Sequence, residues 1–187
     1  HHKQLIYYLI DVLLKQEKYQ SAMECIKLAI TRFGSEDGIL DAALSICPQV
    51  GPKTIEPCVN KQATVSLCMI TKNEEAHLAR CLLSADAIVD EIVVIDTGST
   101  DRTRDIAAVF GARVFEIEWS NDFSAARNVS LDKASGDWIL VLDADEVISA
   151  TDDANFRKLL QPSGPQCLAY EFCTRNYTNK VNLIGWK

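Results

Sequence analysis

The sequence predicts an α/β protein: a mostly parallel sheet with helices on both faces, preceded by a small N-terminal all-helical segment. Three observations carry this. From Val65 onward, the short apolar runs "VSLCMI", "EIVVID", "RVFEIE" and "DWILVLD" alternate with amphipathic stretches. Apolar strands interleaved with helices imply a parallel sheet covered on both sides. Ahead of them, residues 4–46 place apolar side chains at helical spacing. Between the two lies "CPQVGPKTIEPCVNKQAT", with three prolines and no periodicity, which reads as a linker.

In the helical segment, Leu5, Leu9, Val12 and Leu13 line a first helix, and Ala22, Ile26, Ala29 and Ile30 a second. "KQEKY" breaks the pattern as a tight connection, and Gly34 suits a helix stop. "EDGILDAALSI" predicts a third, shorter helix. The hairpin resembles a tetratricopeptide unit, with Leu9, Leu13, Tyr19, Ala22, Ile26 and Ala29 at the expected offsets. The unit's usual Trp, Gly and Pro positions do not match. A lone repeat cannot bury both faces of its hairpin. The segment therefore reads as the end of a longer array or as a helical cap on the α/β region, and it offers a surface to a protein partner. The expected division is helical over 1–48, linker over 49–64 and α/β over 65–187. His1-His2 reads as the remnant of an affinity tag.

In the α/β region, "VSLCMI" leads to the helix "EEAHLARCLLSA". "EIVVID" leads through "TGST" to "DRTRDIAAVFG", with Ser99 or Thr100 as cap and Asp101 favourable in the first turn. "RVFEIE" leads to "FSAARNVSLDKAS", and "DWILVLD" comes after it. "CLAYEFCTRNYTNKVNLIGWK" predicts one or two further strands with a turn at "TNK".

Composition narrows the function. The net charge of −7 lacks the basic excess of nucleic-acid binders. Seven cysteines are scattered without a C-x-x-C pair, which argues against structural zinc and for free thiols in a reducing compartment. Cys68, inside an apolar run, acts as a small hydrophobe. No apolar run approaches the roughly 20 residues that span a bilayer, and no signal peptide is visible. The expected location is the cytoplasm, free or peripheral at the inner face of the membrane.

Polar residues gather where the strands end. Thr71, Lys72, Asn73, Glu74 and Glu75 come after the first strand, and Asp96 to Asp101 after the second. Trp119 to Asp122 come after the third, and Asp143 to Glu146 after the fourth. Ligands of open parallel sheets bind at that edge. No G-x-G-x-x-G, P-loop or G-x-S-x-G motif follows a strand, which argues against dinucleotide, P-loop and α/β-hydrolase chemistry. What stands out is the pair Asp143 and Asp145, at i and i+2 on what reads as extended backbone. Carboxylates of this kind suit Mg²⁺ or Mn²⁺, which take further ligands from phosphates.

The stretch from Val65 to about residue 148 resembles the family 2 glycosyltransferases of the GT-A fold. It looks most like the bacterial branch carrying "KNEE", "DTGSTD", "ARN" and "LDADE". That resemblance implies an inverting enzyme that passes a sugar from a nucleoside-diphosphate sugar to an acceptor, with Mn²⁺ or Mg²⁺ as cofactor. Thr71, Lys72, Asn73, Glu75 and Asp96 would hold base and ribose, and Arg127 would approach the nucleotide. Asp143 and Asp145 would form the D-x-D pair, with Asp143 also touching the nucleotide and Asp145 the better metal ligand. Simpler roles compete: Asn73, Glu75 and Asp101 can start helices, Glu146 can cap, and Arg127 can pair with Asp122.

No catalytic base is named. By the resemblance it lies well beyond the D-x-D loop, and Glu171 sits in a strand-like run. The chain is thus expected to hold the nucleotide half of a longer enzyme, with the acceptor (a glycan, a lipid-linked sugar or a protein) unidentified. Two rivals stand. One is a non-catalytic nucleotide-sugar-binding scaffold. The other is a sugar nucleotidyltransferase, which would show a glycine-rich loop with Arg and Lys after its first strand.

Overall fold

The computed structural model describes residues 2–55, 63–149, 155, 156, 159, 160 and 169–171. Three helices come first: α1 (His2–Lys15), α2 (Tyr19–Phe33) and α3 (Asp37–Val50). Strands and helices then alternate as β1 (Val65–Thr71), α4 (Leu78–Ala85), β2 (Glu91–Asp96), α5 (Thr103–Val109), β3 (Arg113–Glu116), α6 (Phe123–Lys133) and β4 (Trp138–Val141).

Each helix stop has a local cause. Glu17 takes a left-handed φ of 57° between α1 and α2, and Gly34 does so after α2 at 91°, its N–H closing onto Ile30 O at 2.8 Å. The third helix outruns the linker expectation: it continues through Pro48 to Val50. A proline this late removes one intrahelical bond, while the Gly51 N–H still reaches Cys47 O at 2.8 Å. Beyond it, Lys53 is strapped to the α/β unit: its N–H donates to Gly111 O at 2.8 Å and its ammonium pairs with Asp86 at 3.0 Å.

The strands pair in the order β3-β2-β1-β4, all parallel. In the central strands β1 and β2 nearly every residue is buried, as expected for a sheet covered on both faces. Alternation sorts them. Val65, Leu67, Met69, Ile92 and Val94 join the larger core with Leu78, Leu82 and Ile106 of α4 and α5. Cys68, Val93 and Ile95 face the other way, against Ala126 of α6.

The helical segment shares the larger core. Ile26, Ile30, Leu40 and Ala43 are buried in the same cluster as Leu82 and Phe110, with α2 packed on α4 and α3 on α5. The predicted strands of the C-terminal stretch lie outside the described residues, apart from 169–171, which are neither helix nor strand.

Candidate functional site

The chain builds outward from β1 through β2 to β3, and α6 then carries it back to β4 on the other side of β1. Such a reversal opens a crevice outside the carboxyl ends of the strands. Here it lies between the loop after β1 and the turn after β4. The β1–β4 ladder stops at the pair Cys68–Val141, while β1 runs on to Thr71. Arg127 fills the fork. Its Nη1 donates to Cys68 O at 2.9 Å, and its Nη2 lies 3.8 Å from Asp143 Oδ1. Asp122 caps α6 instead of pairing with Arg127, accepting the Ser124 and Ala125 N–H groups at 2.8 and 3.1 Å.

The acidic stretch after β4 is a turn, which corrects the extended backbone expected for Asp143 and Asp145. The Glu146 N–H donates to Asp143 O at 3.0 Å, and the Asp143 N–H donates to Glu146 Oε2 at 3.0 Å. Ala144, between the two aspartates, is buried. Two side chains of α4 hold the turn from below. The Cys81 thiol donates to Asp143 O at 3.5 Å, and Ser84 Oγ accepts the Ile148 N–H at 3.0 Å. Burial, then the carboxylates of Glu146, Asp145 and Asp143, push the Cys81 thiol up to about 12, so it stays a protonated donor.

This arrangement leaves the Asp143 side chain 74% exposed, and Asp145 is exposed as well. Among the described residues no three or more His, Cys, Asp or Glu side chains gather into a metal cage. Two exposed carboxylates beside a crevice still fit a hard cation that draws its other ligands from a diphosphate.

The loops after β1 and β2 are knitted together. Asp96 is fully buried, and its Oδ1 accepts the Gly98 and Ser99 N–H groups at 3.1 and 2.8 Å. Its Oδ2 takes the Ser99 and Thr71 hydroxyls. Asn73 adopts a left-handed φ of 56°, donates its N–H to Ser99 Oγ at 2.9 Å, and accepts the Thr100 N–H at 2.8 Å. Asp101 accepts the Glu75 and Thr103 N–H groups at 3.1 and 3.0 Å. From the residue before the N-cap position, Arg102, it thereby serves the start of α5, the role expected for Ser99 or Thr100. Burial would push its carboxyl up, but these bonds and the Thr103 hydroxyl outweigh it and hold the carboxyl below its ordinary value. Asn73, Glu74 and Glu75 give their N–H groups to Ser99, Thr103 and Asp101, and helix α4 begins at Leu78 where the sequence suggests Glu74.

The seven side chains expected to touch nucleotide are therefore placed differently from one another. Arg127 and Asp143 meet at the fork, and Lys72 is exposed. Thr71 and Asp96 are buried, and Asn73 stitches one loop to the other. Glu75 departs most: its carboxylate accepts the Ser35 hydroxyl at 2.9 Å and the Arg102 N–H at 3.2 Å. It fastens the β1 loop to the α2–α3 connection. Sequence reasoning does not find Ser35, Cys81, Ser84 and Ser99 as supports, because nothing local in a serine or cysteine announces a partner tens of residues away. Two cavities among the described residues lie elsewhere. One of about 220 Å³ lies at the seam near Lys27, Lys53 and Phe110, and one of about 460 Å³ lies beside β4 near Trp138 and Tyr170.

Residues 66–181, well over half of the chain, match the sequence profile of Glycosyl transferase family 2. The chain belongs to that family. It is 49% identical over 108 residues to a TPR repeat-containing protein of Synechococcus elongatus, covering 58% of this chain and 26% of that one. Its repeat name agrees with the tetratricopeptide resemblance of α1 and α2. Over 85 residues the chain is 40% identical to an uncharacterized glycosyltransferase of Rickettsia typhi, covering 46% of this chain and 29% of that protein. This family 2 chain thus spans between a quarter and a third of the length of these relatives. Among solved structures it is similar to S. aureus TarS 1-349, at 28% identity and a TM-score of 0.45 over 51% of this chain and 32% of that one. It is also similar to the mannosyltransferase PcManGT of Pyrobaculum calidifontis in complex with GDP-Man and Mn²⁺. There the identity is 21% and the TM-score 0.46, over 75% and 45% of the two chains.

Proposed function

We propose that this chain is the donor-binding part of an inverting, metal-dependent glycosyltransferase, holding a nucleoside-diphosphate sugar in the β1–β4 crevice. One observation carries this beyond family membership: Arg127 stands at the fork where β1 and β4 part, beside the exposed Asp143. A cation and an acid at a switch-point crevice are the elements that a diphosphate with a divalent metal calls for.

In this reading Arg127 faces the nucleotide, and Asp145 with Asp143 holds Mn²⁺ or Mg²⁺. Asp96, Asn73 and Glu75 keep the two loops in register beneath the ligand, with Thr71 and Lys72 at its edge. A bound divalent ion would supply Lewis-acid stabilisation of charge on the departing diphosphate. The residues of this chain bind and orient the donor, and the group that deprotonates the acceptor is not assigned.

The test is thermal melting with UDP, GDP, dTDP and CDP, each with and without Mn²⁺. A nucleotide at about 100 times its dissociation constant should stabilise the fold by about 2.7 kcal/mol. Asp145→Ala should abolish the metal-dependent part of the shift and leave the unliganded melting point unchanged. If no nucleotide moves the wild-type midpoint, the donor-site assignment fails.

A further inference from the structure

Phe123, the first residue of α6, is 71% exposed at the carboxyl edge of the sheet. One exposed aromatic residue needs no explanation by itself. This one is held in place. Its ring meets Trp119 edge-on, centroids 4.6 Å apart and planes at 69°. Trp119 in turn packs against the cluster of Cys68, Val93, Ile95 and Ala126, and its Nε1 donates to Asn121 Oδ1 at 3.0 Å. Asn121 sits at a left-handed φ of 58°, and Asp122 caps the helix that begins with Phe123. A braced loop and a capped helix start thus hold one aromatic ring out toward solvent.

Its position relates it to the donor crevice. Phe123 and Arg127 are four residues apart on α6, so they share one helix face about 6 Å apart. Arg127 marks the crevice through Cys68 O and Asp143. Meanwhile three acceptors of the β1 and β2 loops are already engaged: Asp96 is fully buried and bonded to Ser99, and Asn73 Oδ1 and the Glu75 carboxylate each accept bonds from within the protein. A nucleotide whose diphosphate lies at Arg127 and the acidic turn carries one flat aromatic part, its base.

We infer that Phe123, braced by Trp119, is the platform on which the donor's nucleobase stacks. The inference rests on the donor-site proposal and adds the element that holds the base. Stacking on an aromatic side chain is tolerant of base identity, so the platform contributes affinity, and discrimination between bases comes from elsewhere.

Isothermal titration in Mn²⁺ with UDP, GDP and inorganic pyrophosphate separates the two claims. Phe123→Ala should weaken both nucleotides about tenfold, within the range of a lost base-stacking contact, and leave pyrophosphate unchanged. Phe123→Trp should restore nucleotide affinity. The side chain is exposed, so neither variant disturbs the core. Unchanged nucleotide affinity in Phe123→Ala, or an equal loss for nucleotide and pyrophosphate, overturns the platform while the donor site stands. Failure of the wild-type chain to bind either nucleotide overturns the donor site, and the platform with it.

Discussion

Glu91 shows how one buried carboxylate can hold a crossover. It lies at the amino end of β2, opposite the crevice, and is 2% exposed. Its oxygens take the Ser66 hydroxyl, the Ser135 N–H at 2.8 Å and hydroxyl at 3.1 Å, and the Arg113 guanidinium. Burial would push its carboxyl up, but these donors outweigh it and hold it below the ordinary range. A depressed carboxyl contributes stability above its unfolded value and loses it as pH falls through the folded one. Glu91→Gln should therefore cost about 1–3 kcal/mol at neutral pH, and the gap to wild type should narrow in acid, both read from urea midpoints. Next to it, Gly136 leaves no room for a side chain: an added Cβ would lie 2.7 Å from Ser66 Oγ and 2.8 Å from Ser66 N. Gly136→Ala should cost about 1–3 kcal/mol through overpacking against β1, measured the same way.

At the scale of elements, the acidic turn and the β1 loop are each held by a neighbour. Helix α4 fixes the turn through Cys81 and Ser84, and the α2–α3 connection fixes the β1 loop through Ser35 and Glu75. Arg102 strengthens the second link, pairing with Asp41 of α3 at 3.0 Å and Asp105 of α5 at 2.7 Å. Glu75→Ala leaves the Ser35 hydroxyl and the Arg102 N–H without their acceptor and should cost about 1–2 kcal/mol. That corresponds to a fall of roughly 2–8 °C in melting temperature. If Glu75 instead touched nucleotide, the variant would lose affinity with no fall in the unliganded midpoint, so melting without ligand separates the two. The order of elements is legible because apolar periodicity changes from helical to strand-like near Val65. Element ends are less so. Pro48 suggests an early close to α3, yet the Gly51 N–H still reaches Cys47 O, and α4 begins at Leu78 and not at Glu74.

At the scale of the whole molecule, the helical segment and the sheet share one core. Ile26, Ile30 and Leu40 lie fully or almost fully buried in the same cluster as Leu78, Leu82 and Phe110. The chain should therefore unfold in one cooperative transition, with helical circular dichroism and tryptophan fluorescence changing together. Two separate transitions would instead support independent units on either side of the linker.

Sequence alone determined the alternation of elements, the parallel sheet, the family motifs and the edge on which their polar residues fall, because these arise from local periodicity and chain order. Only the tertiary structure decided what each polar side chain does. Asp96, Asn73 and Glu75 belong to the family motifs as Lys72 and Asp143 do, yet the first three are engaged within the fold and the last two face solvent. Hydrogen-bond capacity is filled by whichever donor the fold brings near, and for Glu75 that donor is Ser35, on the far side of the linker.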